Sequence, residues 1–150
     1  MEGRSIQIGI DNQTDFFVFF NDTILTSGLW NPAPPYFINS RGSVQFKNDS
    51  NGGDIEAAVL LVVVAIARRR GGTTANYMGT TWISWDDPGT AAALSSAAPS
   101  HEFTANGLQI TRRPLIPGPI SLLEWVITYQ HPEGAARRPN RRAAAKPPVV

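Results

Sequence analysis

Near the start of the chain Ile6, Ile8 and Ile10 alternate with Ser5, Gln7 and Gly9. That period of two predicts a strand with one buried face, ended at Asp11-Asn12. FFVFF at 16–20 is too dense to alternate and reads as a strand covered on both faces. NDT at 21–23 reads as a turn, after which ILTSGLW continues extended to Trp30. The three prolines of NPAPPYF, 31–37, remove amide donors and force extended or turn geometry, leaving Tyr36 and Phe37 on a loop. SVQFK at 43–47 alternates again, with Val44 and Phe46 on one face.

The longest apolar run, AAVLLVVVAIA at 57–67, is β-branched in its centre. It predicts a buried strand, with a short helix as the alternative, and RRRGG stops it. ANYMGTTWISWDD predicts a strand with Tyr77, Gly79, Thr81, Ile83 and Trp85 on one face and Trp82 on the other. AAALSSAA reads as a helical turn or a loop, and HEFTANGLQIT as a hairpin around Asn106-Gly107. PLIPGP is a rigid loop, and SLLEWVITYQ is a last strand alternating Leu123, Trp125, Ile127 and Tyr129. Seven or eight strands without a convincing amphipathic helix predict an all-β fold, a two-sheet antiparallel β-sandwich or a barrel. One domain over residues 4–132 is expected, followed by an Arg/Pro/Ala-rich segment, 133–150, that reads as disordered.

Charge refines this division. Residues 1–134 hold eight basic against twelve acidic residues, a net −4, while 135–150 hold five basic residues and no acid. A mildly acidic body is not the electrostatic footprint of a nucleic-acid-binding domain. The tail is either a solvated extension or an arm for anionic lipid or nucleic acid. MEGRSIQIGI lacks a basic segment followed by a sustained apolar stretch, so no signal peptide is expected. The run at 57–67 has about half the ~20 residues that a spanning helix requires. The expectation is a soluble protein, cytoplasmic or released.

Catalytic sets are hard to assemble. His101 and His131 do not stand at a zinc-ligand spacing, and no cysteine or G-x-S-x-G is present. No phosphate-cradling glycine loop follows GG at 52 or 71. Asp86-Asp87 would point to opposite faces of a strand, and DDPG suits a turn better than acid–base chemistry or calcium. Neither an enzyme nor a metal or organic cofactor is expected. Three N-x-S/T triplets, at Asn12, Asn21 and Asn48, read as turn residues.

The aromatic residues carry more information by position than by number. Trp30, Tyr36 and Phe37 flank the proline-rich loop, and Trp82 and Trp85 precede the Pro88-Gly89 turn. Loops on a rigid sandwich collect binding residues, and indole and phenol rings settle at the headgroup level of a bilayer. Trp85 and Trp125 also suit a core between two sheets. For Trp30, Tyr36, Phe37 and Trp82, core and rim remain open.

RSIQIGIDNQTDFFVFF, followed by LTSGLW and a proline-containing loop, resembles the start of the aegerolysin family of small membrane-binding β-sandwiches. Trp85, Asp86, Pro88 and Gly89 resemble that family's W-D-x-P-G segment, and EWVITY its late W-x-I-x-Y strand. The opening I-x-I-G-I-D-N is also similar to the first strand of actinoporins. AAVLLVVVAIARRR stands where the family is glycine-rich, and Asp87 where it carries a cysteine. The resemblance implies binding to membrane lipids, sphingolipids with or without sterol, with permeabilisation assisted by a larger pore-forming partner. Trp30, Tyr36, Phe37, Trp82, Trp85 and Asp86 are the expected lipid-binding residues, placed at one end of the sandwich. A carbohydrate-binding module, stacking sugars on the same rings, is the alternative, and a purely structural domain is a third.

Overall fold

Each strand's alternation decides which side chains it buries, and ten strands result among the residues described, 4–86, 100–102 and 107–130, of a computed structural model. They are β1 (Ser5–Asn12), β2 (Phe17–Ser27), β3 (Leu29–Trp30), β4 (Phe37–Ile38) and β5 (Ser43–Asp49). Then come β6 (Glu56–Arg69), β7 (Gly72–Asp86), β8 (Ser100–Glu102), β9 (Leu108–Arg112) and β10 (Ile120–Tyr129). Six strands form one sheet in the order β3-β5-β1-β10-β9-β8, and four form the other in the order β4-β2-β6-β7. The all-β, two-sheet expectation holds. Every pairing is antiparallel except that of β1 with β10, which run parallel from Ser5↔Ile120 to Asn12↔Ile127.

The two sheets enclose one core. Ile6, Ile8 and Ile10 of β1 and Leu123, Trp125 and Ile127 of β10 meet Val18, Val59, Leu61, Val63 and Ile83 of the four-stranded sheet. The run at 57–67 is a strand, and its residues alternate between fully buried (Ala57, Val59, Leu61, Val63) and half-buried (Ala58, Leu60, Val62, Val64). At roughly 25 cal/mol per Å² removed from water, the buried column is a main source of stability.

Two irregularities correct the sequence reading. NDT is no turn: β2 runs through it, and Asn21 is the extra residue of a bulge between the pairs Phe20↔Leu61 and Asp22↔Leu60. A second register shift skips Met78, between Val63↔Gly79 and Val64↔Tyr77. Met78 and Gly79 therefore both turn inward, and Tyr77 leaves the face it was expected to share with Ile83 and Trp85. Phe37, expected on a loop, forms the short edge strand β4 with Ile38.

Polar latches hold the strand ends. The buried Asn12 amide donates to the carbonyls of Phe16 and Asn39, and its oxygen accepts from Thr14 N–H and Oγ1. Gly28 (φ 101°) links β2 to β3, where a Cβ would collide with Asn48 Oδ1 and the Asp49 carbonyl. Gly107 (φ 89°) immediately precedes β9, where a Cβ would collide with the Gln130 carbonyl. Asn106, AAALSSAA and residues 133–150 lie outside the described residues.

Asp49 ties β3 and β1 to β5. It accepts hydrogen bonds from Ser5 Oγ and from Asn31 Nδ2 (2.8 Å), with Lys47 Nζ at 3.9 Å. Burial pushes its carboxyl up, but the hydrogen bonds from Ser5 and Asn31 and the charge of Lys47 outweigh this and hold it below the ordinary value. A lowered folded pKa gives stability that is fully present above the unfolded value, about 3.9, and is lost as pH falls through the folded one. Thermal unfolding across the acid range should therefore show a smaller acid loss in Asp49→Asn than in the native protein. Val63→Asp should abolish folding, read by circular dichroism. It buries a carboxylate without a partner, a cost of several kcal/mol against about 5–15 in total.

Candidate functional site

The two outer faces of the sandwich differ in chemistry. On the six-stranded sheet, Gln7 Nε2 donates to Gln45 Oε1 (2.7 Å), Ser43 Oγ to Asp11 Oδ1 (3.0 Å), and Arg113 Nη1 to Glu124 Oε1 (3.1 Å). This face is mostly polar, as expected of an antiparallel-rich sheet, with Ile120, Leu122 and Val126 of β10 as its apolar positions.

The outer face of the four-stranded sheet is apolar. The pairing registers align Phe17–Val64–Tyr77 in one row, Phe37–Phe19–Val62–Thr80 in the next, then Asp22–Leu60–Trp82, then Ile24–Ala58–Ser84. Phe19 and Phe37 are in ring contact, with centroids 5.9 Å apart. The half-buried side chains that pack on the core, among them Phe16, Phe20, Trp30 and Met78, come from other positions. The row residues shield one another only sideways. Phe37 is 44 % exposed, Trp82 42 % and Tyr77 60 %. FFVFF is accordingly turned to the core through Phe16, Val18 and Phe20, while Phe17 and Phe19 lie half-buried on the opposite face. Contiguous exposed apolar patches on a soluble domain mark binding surfaces.

The six residues singled out from the sequence separate into three groups. Phe37 and Trp82 lie on the apolar face, and Tyr36, 89 % exposed, adjoins it where its carbonyl accepts from Phe20 N–H (2.9 Å). Trp30 and Trp85 turn inward instead. Their rings lie 6.1 Å apart, each about 5.9 Å from Phe46, and Trp85 is only 6 % exposed. Asp86 is exposed opposite Glu56 at the open end of the β6–β7 hairpin. It borders a cleft of about 250 Å³ lined also by Glu56, Trp85 and Arg112. The rings are thus not gathered at one end of the sandwich: the outward ones spread over a sheet face.

Sequence reasoning missed Phe17, Phe19, Leu60, Val62, Val64 and Tyr77 as surface residues. The available signal was the absence of polar residues at alternate positions of FFVFF and of 57–64. Two of the three N-x-S/T asparagines, Asn12 and Asn48, are fully buried, and Asn21 is exposed at its bulge. No group of three His, Asp or Glu side chains that could hold a metal occurs among the described residues, and no helix there is long and apolar enough to cross a membrane.

No family model matches the chain, and no curated protein matches it in sequence. Its architecture does have a counterpart. The crystal structure of the lipid-binding protein Nakanori aligns with 83 % of this chain and 71 % of its own, with a TM-score of 0.51 at 8 % identity. What is shared is the fold.

Trp82 and Trp85 give a direct test of the division between face and core. Trp85→Ala should cost about 3–5 kcal/mol in urea unfolding, as a cavity left in the core does. Trp82→Ala should cost under about 1 kcal/mol, as surface substitutions away from packed features do.

Proposed function

We propose that this protein binds the surface of lipid membranes through the outer face of its four-stranded sheet. The observation that carries the reading is the ring-rich, mostly apolar face of four rows, on a sandwich whose other outer face is mostly polar. The fold it shares with a lipid-binding protein supports the same reading. Trp82, Tyr77, Tyr36 and Phe37 are amphipathic or aromatic rings suited to the headgroup boundary, and Phe19, Leu60, Val62 and Val64 form an apolar floor between them. That floor favours lipid over carbohydrate, because a sugar site needs hydrogen-bonding groups between its stacking rings. Trp30 and Trp85 support the face from within.

The aegerolysin likeness narrows the ligand to sphingolipids, with or without sterol. In this narrower reading Asp86, beside Glu56 at the cleft, meets a quaternary ammonium headgroup, and permeabilisation of a membrane is assisted by a larger pore-forming partner. The chain's own long hairpin suits docking better than pore lining. A strand facing a water-filled lumen alternates apolar with polar residues, whereas β6 is apolar on both sides from Ala57 to Val64.

Co-sedimentation with vesicles of phosphatidylcholine alone, and of phosphatidylcholine with sphingomyelin and cholesterol, tests the reading. Binding to the sphingomyelin vesicles should exceed binding to phosphatidylcholine alone. Phe37→Ala and Trp82→Ala should each weaken binding by about tenfold while retaining the native circular dichroism spectrum. Equal failure on every vesicle, or undiminished binding by both variants, would overturn the assignment.

A further inference from the structure

We infer that the distal half of the β6–β7 hairpin is a cationic arm that engages the phosphates of an anionic phospholipid bilayer. The inference rests on the lipid-surface reading above and adds a second, electrostatic element to it.

Four observations carry it. First, the arm stands clear of the sandwich. The last pair of β2 with β6 is Phe17↔Val64, whereas β6 and β7 remain paired on to Arg69↔Gly72. Residues 65–76 therefore form a two-stranded extension with no third strand beside it among the described residues, reaching about 17 Å beyond Val64. Two strands alone are at best marginally stable in water, and a surface beneath them would supply the missing neighbour.

Second, the arm ends in Arg68, Arg69 and Arg70, all exposed. Arg41, Lys47 and Arg113 each have a carboxylate partner, in Asp15, Asp49 and Glu124. Among the described residues no carboxylate lies within ion-pair distance of Arg68, Arg69 or Arg70. A guanidinium matches a phosphate with two parallel hydrogen bonds, so such a cluster suits phosphate in particular.

Third, the arm is continuous with the apolar face. Alternation along β6 puts Val62, Val64, Ile66 and Arg68 in one column. With that face on the bilayer, the apolar side chains settle at the acyl boundary while the flexible arginine side chain bends its head back to the phosphates. Fourth, the opposite end of the same hairpin is acidic, with Asp54, Glu56 and Asp86 exposed. A negative surface attracts the arm and repels that end, which sets the orientation of the long axis on approach.

The test compares the native full chain with an Arg68→Gln/Arg69→Gln/Arg70→Gln variant. The vesicles are phosphatidylcholine–sphingomyelin, with and without one part in four replaced by phosphatidylserine. The native protein should bind the phosphatidylserine vesicles more tightly at low salt and lose that advantage as salt is raised. The variant should bind them roughly 100-fold more weakly than the native protein, while losing only a few-fold on the net-neutral vesicles, whose phosphates are each balanced by a choline. Equal affinities of native protein and variant for the charged vesicles would overturn the arm and leave the apolar face standing. Binding by the native protein to neither vesicle would overturn both. Competition by a short DNA duplex on equal terms with the charged vesicles would make the arm a general polyanion contact, and the proposal would fail.

Discussion

A sandwich covers one face of each of its sheets, and everything distinctive about this protein follows from that limit. β6 is apolar on both sides, but the six-stranded sheet can bury only the column containing Ala57, Val59, Leu61 and Val63. The other column, with the rings that the neighbouring strands place beside it, makes up the sheet's outer face. On the six-stranded sheet the same alternation sends hydrogen-bonding side chains outward, so the asymmetry belongs to the sequence and not to the architecture.

The core works as a support for that face. Trp30, Phe46 and Trp85 form an aromatic cluster beneath the end of the sheet that carries Trp82, and Phe20 contacts Phe46 edge-on at 5.6 Å. Rings fixed on paired strands lose little conformational freedom when they meet a ligand, which is the advantage of a preformed surface over a loop. The β2 bulge at Asn21 keeps this geometry in register: it changes which side Asp22 faces and so sets a carboxylate at the margin of an otherwise neutral patch.

The strands with clean alternation were legible in the sequence. SIQIGIDN, SVQFKND and ISLLEWVITY each announce one inward face, and the structure turns the residues so marked to the core, with Val44 and Tyr129 half-buried at its margin. Where alternation is absent the sequence is ambiguous, because an apolar run reads alike whether its second face is covered or open. FFVFF and the run at 57–67 both carry this ambiguity. Bulges are harder to place: Gly79 beside Met78 suits one but does not fix its position, Asn21-Asp22 reads equally as a turn, and each bulge reverses the facing of what lies beyond it. Of the six candidate site residues, the placement of Trp82 followed from counting along its strand. The inward turn of Trp30 did not, since it depends on the pairing Trp30↔Asn48 between residues separated by the proline-rich loop.

β1 and β10, parallel neighbours within one sheet, come from opposite ends of the described chain. The six-stranded layer therefore cannot close until the last strand has left the ribosome, whereas β6 and β7 are joined by a short connection and can pair as soon as both are made. For that interval the nascent hairpin is greasy on both sides, the side destined for the interior as well as the side that stays open. Clumping during synthesis is then the hazard this topology carries, and the three arginines at the hairpin's tip are the gatekeeping charges positioned to oppose it.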